Sequence, residues 1–144
     1  MRRIILALVV AAAACTRVAA QAPVIPVERG MPLRAEILDA LRPSIEKETG
    51  GPVQFVISVI NVMGAWAYVE AKPERPDGQP INWRATKFRE AYDADMFSGL
   101  VLALLRRGEG RWKLIGTFIG PTDVAWYEWV DKYKLPEALF KAAK

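Results

Sequence analysis

The stretch Val53-Gln54-Phe55-Val56-Ile57-Ser58-Val59-Ile60-Asn61-Val62-Met63, then Gly64-Ala65, then Trp66-Ala67-Tyr68-Val69-Glu70-Ala71-Lys72, carries the plainest fold signal in this 144-residue chain. β-Branched and other apolar residues dominate Val53 to Met63, which reads as one long strand. Gly64-Ala65 fits a two-residue hairpin in which glycine supplies the positive φ of a type II′ turn. Beyond the turn, Trp66, Tyr68, Glu70 and Lys72 share one face of a second strand, and Ala67, Val69 and Ala71 share the other.

A second hairpin lies downstream. Leu100 to Arg106 is an apolar strand, and Gly108-Glu109-Gly110 suits a three-residue loop with a glycine at the bulge. Arg111 to Ile119 alternates, which places Trp112, Leu114, Gly116 and Phe118 on one face. Between the hairpins, prolines and Asp77-Gly78 mark Pro73 to Trp83 as a loop. Thr86 to Ala94 fits either a short helix or an edge strand.

Helical patterns flank the hairpins. Leu33, Ile37, Leu38, Leu41 and Ile45 line one face of a helix from Leu33 to Glu48, and Gly50-Gly51-Pro52 stops it. Pro43 predicts a kink or a break within it. After Gly120-Pro121, Thr122 is expected to cap a second helix with Asp123 in its first turn. Trp126, Trp129, Val130 and Tyr133 then recur at helical spacing, and Glu128 and Lys132 stand at i,i+4. Lys134-Leu135-Pro136 ends this helix and leaves Glu137 to Lys144 as a tail. The predicted fold class is α+β, one domain over residues 33–144. It has an N-terminal helix packed on one face of an antiparallel sheet of about four strands, with a short C-terminal helix.

The N-terminus reads as an address. Met1-Arg2-Arg3 is a short positive start, Ile4 to Cys15 is an apolar run, and Val18-Ala19-Ala20 has the small residues a signal peptidase reads. The run is about a dozen residues, short of the roughly 20 that a membrane-spanning helix needs. Residues 1–20 are thus expected to be a signal peptide cleaved after Ala20, and the protein to be exported to the periplasm or beyond. An alternative takes Cys15, after Ala12-Ala13-Ala14, as a lipid anchor. Residues 21–32, with Pro23, Pro26, Gly30 and Pro32, read as an extended leader.

Charge and composition then exclude function classes. Losing Arg2, Arg3 and Arg17 lowers the basic residues from 20 to 17 against 16 acids, so the formal charge falls from +4 to near +1. A near-balanced exported chain is a poor nucleic-acid binder. The chain has no histidine, which removes histidine-based nucleophile systems and histidine-containing zinc sites. Its one cysteine falls in the expected signal peptide, so no internal disulfide is possible. There is no phosphate loop, nucleophile elbow or metal-ligand spacing, and no cofactor is expected.

Two segments carry a family resemblance: Val62-Met63-Gly64-Ala65-Trp66-Ala67-Tyr68-Val69 and Leu104-Leu105-Arg106-Arg107-Gly108-Glu109-Gly110-Arg111-Trp112-Lys113-Leu114. Over roughly residues 33–120 the chain resembles the cystatin-like α+β group, and within it the nuclear-transport-factor-like domains of bacteria. That resemblance implies a curved sheet around a helix-lined pocket. The segment Gly120-Pro121-Thr122-Asp123-Val124-Ala125-Trp126 is similar to exported proteins of proteobacteria.

Candidate residues follow from both readings. Some nuclear-transport-factor-like enzymes use a pocket carboxylate as a base beside a tyrosine or a second carboxylate, which singles out Glu70, Asp93, Asp95 and Tyr68. If Asp93-Ala94-Asp95 is extended, both acids point to one face and can split their pKa values. A calcium-loop reading of the same residues fails, because Phe97 and Leu104 occupy ligand positions. For binding, Trp83-Arg84 after the long loop and Asp123 with Trp126 at the last helix offer aromatics beside charge, able to stack on a sugar or peptide. The leading expectation is a non-catalytic envelope domain that binds a partner protein or small ligand through these aromatics. The alternatives are a small-pocket enzyme using carboxylate acid/base catalysis, or an envelope structural protein. A homodimer is compatible with all three.

Overall fold

The computed structural model describes residues 21–144, so the expected signal peptide and the Cys15 anchor lie outside the described residues. Val24–Pro26 form β1, Pro32–Thr49 α1, Gln54–Met63 β2, Trp66–Glu74 β3 and Arg89–Asp93 α2. Val101–Gly108 form β4, Arg111–Ile119 β5 and Tyr127–Tyr133 α3, with single 3-10 turns at Trp83–Ala85 and Glu137–Phe140. The ambiguous segment after Thr86 is thus helical. The class is α+β, built on an antiparallel sheet in the order β1-β2-β3-β4-β5.

The sheet has five strands rather than about four, because part of the leader pairs. Val24 lies opposite Met63 and Pro26 opposite Asn61, and the Val27 N–H donates to the Ile60 carbonyl at 2.8 Å. Proline is tolerated there because β1 is an edge strand. α1 begins with Pro32 in its first turn and ends at Gly50, whose φ of 77° lets its N–H reach the Glu46 carbonyl at 2.9 Å. The helix continues through Pro43, which is exposed, so the carbonyl of Asp39 that it leaves without a partner faces water. Ile37, Leu41 and Ile45 are fully buried beneath it.

Both faces of the sheet are covered, where helix was expected on one. Against α1 lie Ile60, Ala67, Val69, Ala71, Val101, Ala103 and Leu105, with Trp83 from the long loop and Trp112. Against α3 and the last 3-10 turn lie Val59, Met63, Tyr68, Leu102 and Leu104, with Trp126, Trp129, Leu139 and Phe140. Glu137 to Lys144 is therefore no simple tail: Leu139 is fully buried and Phe140 stacks on Trp126 with ring centroids 5.1 Å apart. Asn61 holds the segment down, its amide donating to the carbonyls of Leu139 (3.0 Å) and Lys141 (2.8 Å).

Two β-bulges redirect side chains. In β5, Leu114 pairs with Leu105 and Gly116 with Leu104, which leaves Ile115 unpaired. Trp112 and Leu114 therefore face α1, while Gly116 and Phe118 face α3, and the single row expected for these four is split. The gap over Gly116 is filled by the Trp129 indole, which also packs on Phe118 at 4.7 Å. In β2, Ser58 is skipped between Ile57 and Val59 in the same way.

The turns differ in one case. Gly64, at φ 56°, occupies the first central position between Met63 and Trp66, as expected. In the second hairpin Gly108 pairs directly with Arg111, so the turn has two residues rather than three. Glu109 and Gly110 have φ of 54° and 73°, the type I′ pattern that suits strand twist. α3 starts at Tyr127 with no side-chain cap, so Thr122 does not cap it and Asp123 lies outside its first turn. Burial of Trp126 and Trp129 places this helix, not capping chemistry. Among the described residues, no ion pair joins Glu128 to Lys132; Lys132 instead lies over the Tyr133 ring at 5.4 Å. No described helix is long and apolar enough to cross a membrane.

Candidate functional site

The aromatics expected to make contacts are in the core. Trp83 is 6% exposed and packs edge-on against Phe88 (5.9 Å) and Phe97 (4.7 Å). Trp126 is 8% exposed under Phe140. Arg84, by contrast, is exposed: its Nε donates to Asp93 Oδ1 at 2.6 Å and its guanidinium covers the Tyr92 ring at 5.3 Å. The hydrogen bond and charge of Asp93 raise the Arg84 pKa. Arg89 approaches the second Asp93 oxygen at 3.7 Å. Asp123 is exposed on the segment before α3.

The four acid/base candidates fall into two separate sets, Tyr68 with Glu70 and Asp93 with Asp95. Asp93 is the last residue of α2 and Asp95 follows it at φ 55°, so the pair is not extended and does not share a strand face. Tyr68 is fully buried, with Phe140 and Trp129 rings at 4.9 and 6.5 Å, and its hydroxyl donates to Glu70 Oε2 at 3.2 Å. Burial first, then the Glu70 charge and hydrogen bond, push the Tyr68 phenol far above its ordinary value. Tyr68 lies on the α3 side of the sheet, while Asp93 bonds Arg84 beside Trp83 on the α1 side. The sheet separates the two sets. Among the described residues, no group of three histidine, cysteine or acidic side chains is placed to hold a metal ion.

The fold assembles a different cluster, at the end of the sheet where both hairpin turns lie. The Arg107 N–H donates to the Ala65 carbonyl at 2.7 Å, which ties the second hairpin to the turn of the first. Register sets Trp66 opposite Arg106, and the Arg106 guanidinium lies over the Trp66 ring at 5.1 Å. Tyr133 brings the end of α3 against the same ring at 5.2 Å. At the same end but on the opposite, α1-facing side, Arg107 covers Trp112 at 5.8 Å, and that indole N–H is buried without a hydrogen-bond partner.

Among the described residues, Arg106, Arg107, Arg111 and Lys132 have no acid within ion-pair distance, and Lys113 has only exposed Glu109 at 3.5 Å. Arg106, Arg107, Lys113 and Ile115 line a shallow groove of about 260 Å³. Guanidinium groups laid on indoles keep their N–H edges free, and those edges match carboxylate or phosphate oxygens. The run Arg106 to Lys113 displays most of these charges in the sequence, but Trp66 and Lys132 join it only through strand register and the return of α3.

No protein-family model, no curated protein and no solved structure matches this chain.

Proposed function

We propose that this chain is an exported, non-catalytic domain of the cell envelope. It binds an anionic group of a partner protein or small ligand at the hairpin-turn end. The observation that carries the reading is Arg106, laid over Trp66 on the α3 side with Lys113 beside it in the groove, and not neutralised by an acid among the described residues. The filled sheet faces support binding on the outside over chemistry in an enclosed pocket. Cystatin-like kinship is part of the proposal: a short strand, one long helix and an antiparallel meander of four strands support it. Export rests on the Met1–Ala20 pattern.

The test is crosslinking in envelope extracts with wild type and an Arg106→Gln/Lys113→Gln variant. Two charge-assisted hydrogen bonds of about 1.5–3 kcal/mol each predict at least a tenfold loss of partner capture by the variant. Equal capture by folded samples of both removes this surface from consideration.

A further inference from the structure

The basic residues of the hairpin-turn end do not share one face of the sheet. Arg106 lies opposite Trp66 and Lys113 on the α3 side, whereas Arg107 lies opposite Trp112 on the α1 side. Arg111 stands at the foot of the turn, and Lys132 and Lys134 close α3 on either side of Tyr133. The acids at this end are Glu109 in the turn, Asp131 in α3, and Glu36, which lines a hollow beside Gly110 and Arg111. The cations outnumber them, and among the described residues only Glu109 reaches one, Lys113 at 3.5 Å. A small ligand seated on the α3 side meets Arg106 and Lys113, but the sheet stands between it and the Arg107 guanidinium over Trp112. A flat surface laid across the end of the sheet meets the charges of both sides at once.

The chain also enters at this end. Val24 lies opposite Met63, and a Cβ at Gly64 would stand 3.6 Å from that of Ala22. The exposed residues there, Ala22, Pro23, Gly64 and Ala65, carry no charge. At about 3.5 Å per extended residue, the chain from Ala22 back to Cys15, where the apolar run ends, reaches no further than about 25 Å. Building on the anion-binding reading above, we propose that the hairpin-turn end is the face this domain sets against an anionic lipid surface. Lipid phosphates are the anions, met by Arg106, Arg107, Arg111, Lys113, Lys132 and Lys134. Trp66 and Tyr133 are half-buried beside these cations, 5.2 Å apart, as amphipathic rings at headgroup level are. Cleavage after Ala20 would free the Gln21 amine at the same end and add a positive charge to it.

The experiment uses the full chain in a Cys15→Ala background. Flotation with phosphatidylcholine vesicles, with and without phosphatidylglycerol, gives the preference for the anionic surface as a ratio in which the contribution of the apolar run cancels. Arg107→Gln and Lys132→Gln, on opposite sides of the sheet, are each expected to lower that ratio about fivefold. Lys72→Gln, exposed toward the other end of β3, is expected to leave it unchanged. All three are expected to keep the wild-type thermal midpoint, and Lys132→Gln, exposed on α3, carries the test if Arg107→Gln does not. A fluorophore on Ala65→Cys is expected to be quenched by a headgroup-borne quencher in anionic vesicles, and one on Asp77→Cys, beyond the far end of β3, is not. Equal losses from Arg107→Gln and Lys72→Gln, or equal quenching at the two labels, overturn the proposal. So does a wild type with no anionic preference. If envelope extracts then still yield a crosslinked protein that the Arg106→Gln/Lys113→Gln variant loses, the anion belongs to that protein and the binding reading stands. Failure of both experiments removes that reading as well.

Discussion

Asn61 shows how one side chain can set the path of a distant segment. It is 2% exposed, on the α3 side of β2, and its amide meets two carbonyls about eighty residues further along the chain. A buried amide without partners costs roughly 1–3 kcal/mol, so this position is favourable only with Leu139 and Lys141 in place. Asn61→Leu keeps the volume but leaves both carbonyls unpaired. We expect a loss of about 2–4 kcal/mol, read as a lower urea midpoint, with earlier proteolysis beyond Pro136. Nothing local in Val-Ile-Asn-Val-Met announces this role, because a lone polar residue in a strand usually faces water. Trp83 and Trp126 pose the opposite problem. Aromatics beside charge read as a contact surface, yet both are in the core, and only the fold shows which neighbours bury them.

At the level of elements, both hairpins, the long helix and the last helix are legible from periodicity and turn residues, within a few positions at their ends. What periodicity hides is the bulge. An alternating pattern carried past Ile115 assigns Phe118 to the face of Trp112, and only the pairing with β4 reveals the extra residue. The structure makes a sharp prediction from this. Deleting Ile115 joins Leu114 to Gly116 without moving any other side chain to the wrong face, so the fold should survive with a change under about 2 kcal/mol. Deleting Ala103 from β4, which has no spare residue, instead turns part of that strand to the wrong face and should cost about 3–5 kcal/mol, as large core truncations do. Chemical denaturation of the two deletions checks the contrast; equal losses would mean that Ile115 is an ordinary ladder residue. The 24–26 strand and the 137–140 turn are too short to show a period at all, and each is recognisable only by what it packs on.

Taken as one molecule, the protein has two apolar layers with Tyr68 buried in the second. The folded state holds the Tyr68 proton more tightly than the unfolded chain, whose phenol ionises near pH 10, about its ordinary value. Its contribution to stability is therefore complete below about pH 10 and is lost as pH rises beyond it. We expect the urea midpoint to fall steeply above about pH 10 in wild type. Tyr68→Phe should fall less steeply there, while losing about 1 kcal/mol at neutral pH through the missing bond to Glu70. At this same scale the expected near-neutral net charge of the exported chain conceals an uneven distribution. The hairpin-turn end is basic, so the binding proposed there should weaken as salt rises even though the expected net charge after cleavage is small.

The clamp from Asn61 to Leu139 and Lys141 also imposes an order in time. The α1 layer draws on residues up to Ile119, whereas the opposite layer waits for Phe140. A growing chain therefore passes through a stage in which the strands have been made and one whole side of them is bare. Closing that side requires joining residues 78 apart, a slow, non-local step. A nascent molecule stays adhesive and threadable through that interval, a property that fits the export proposed above.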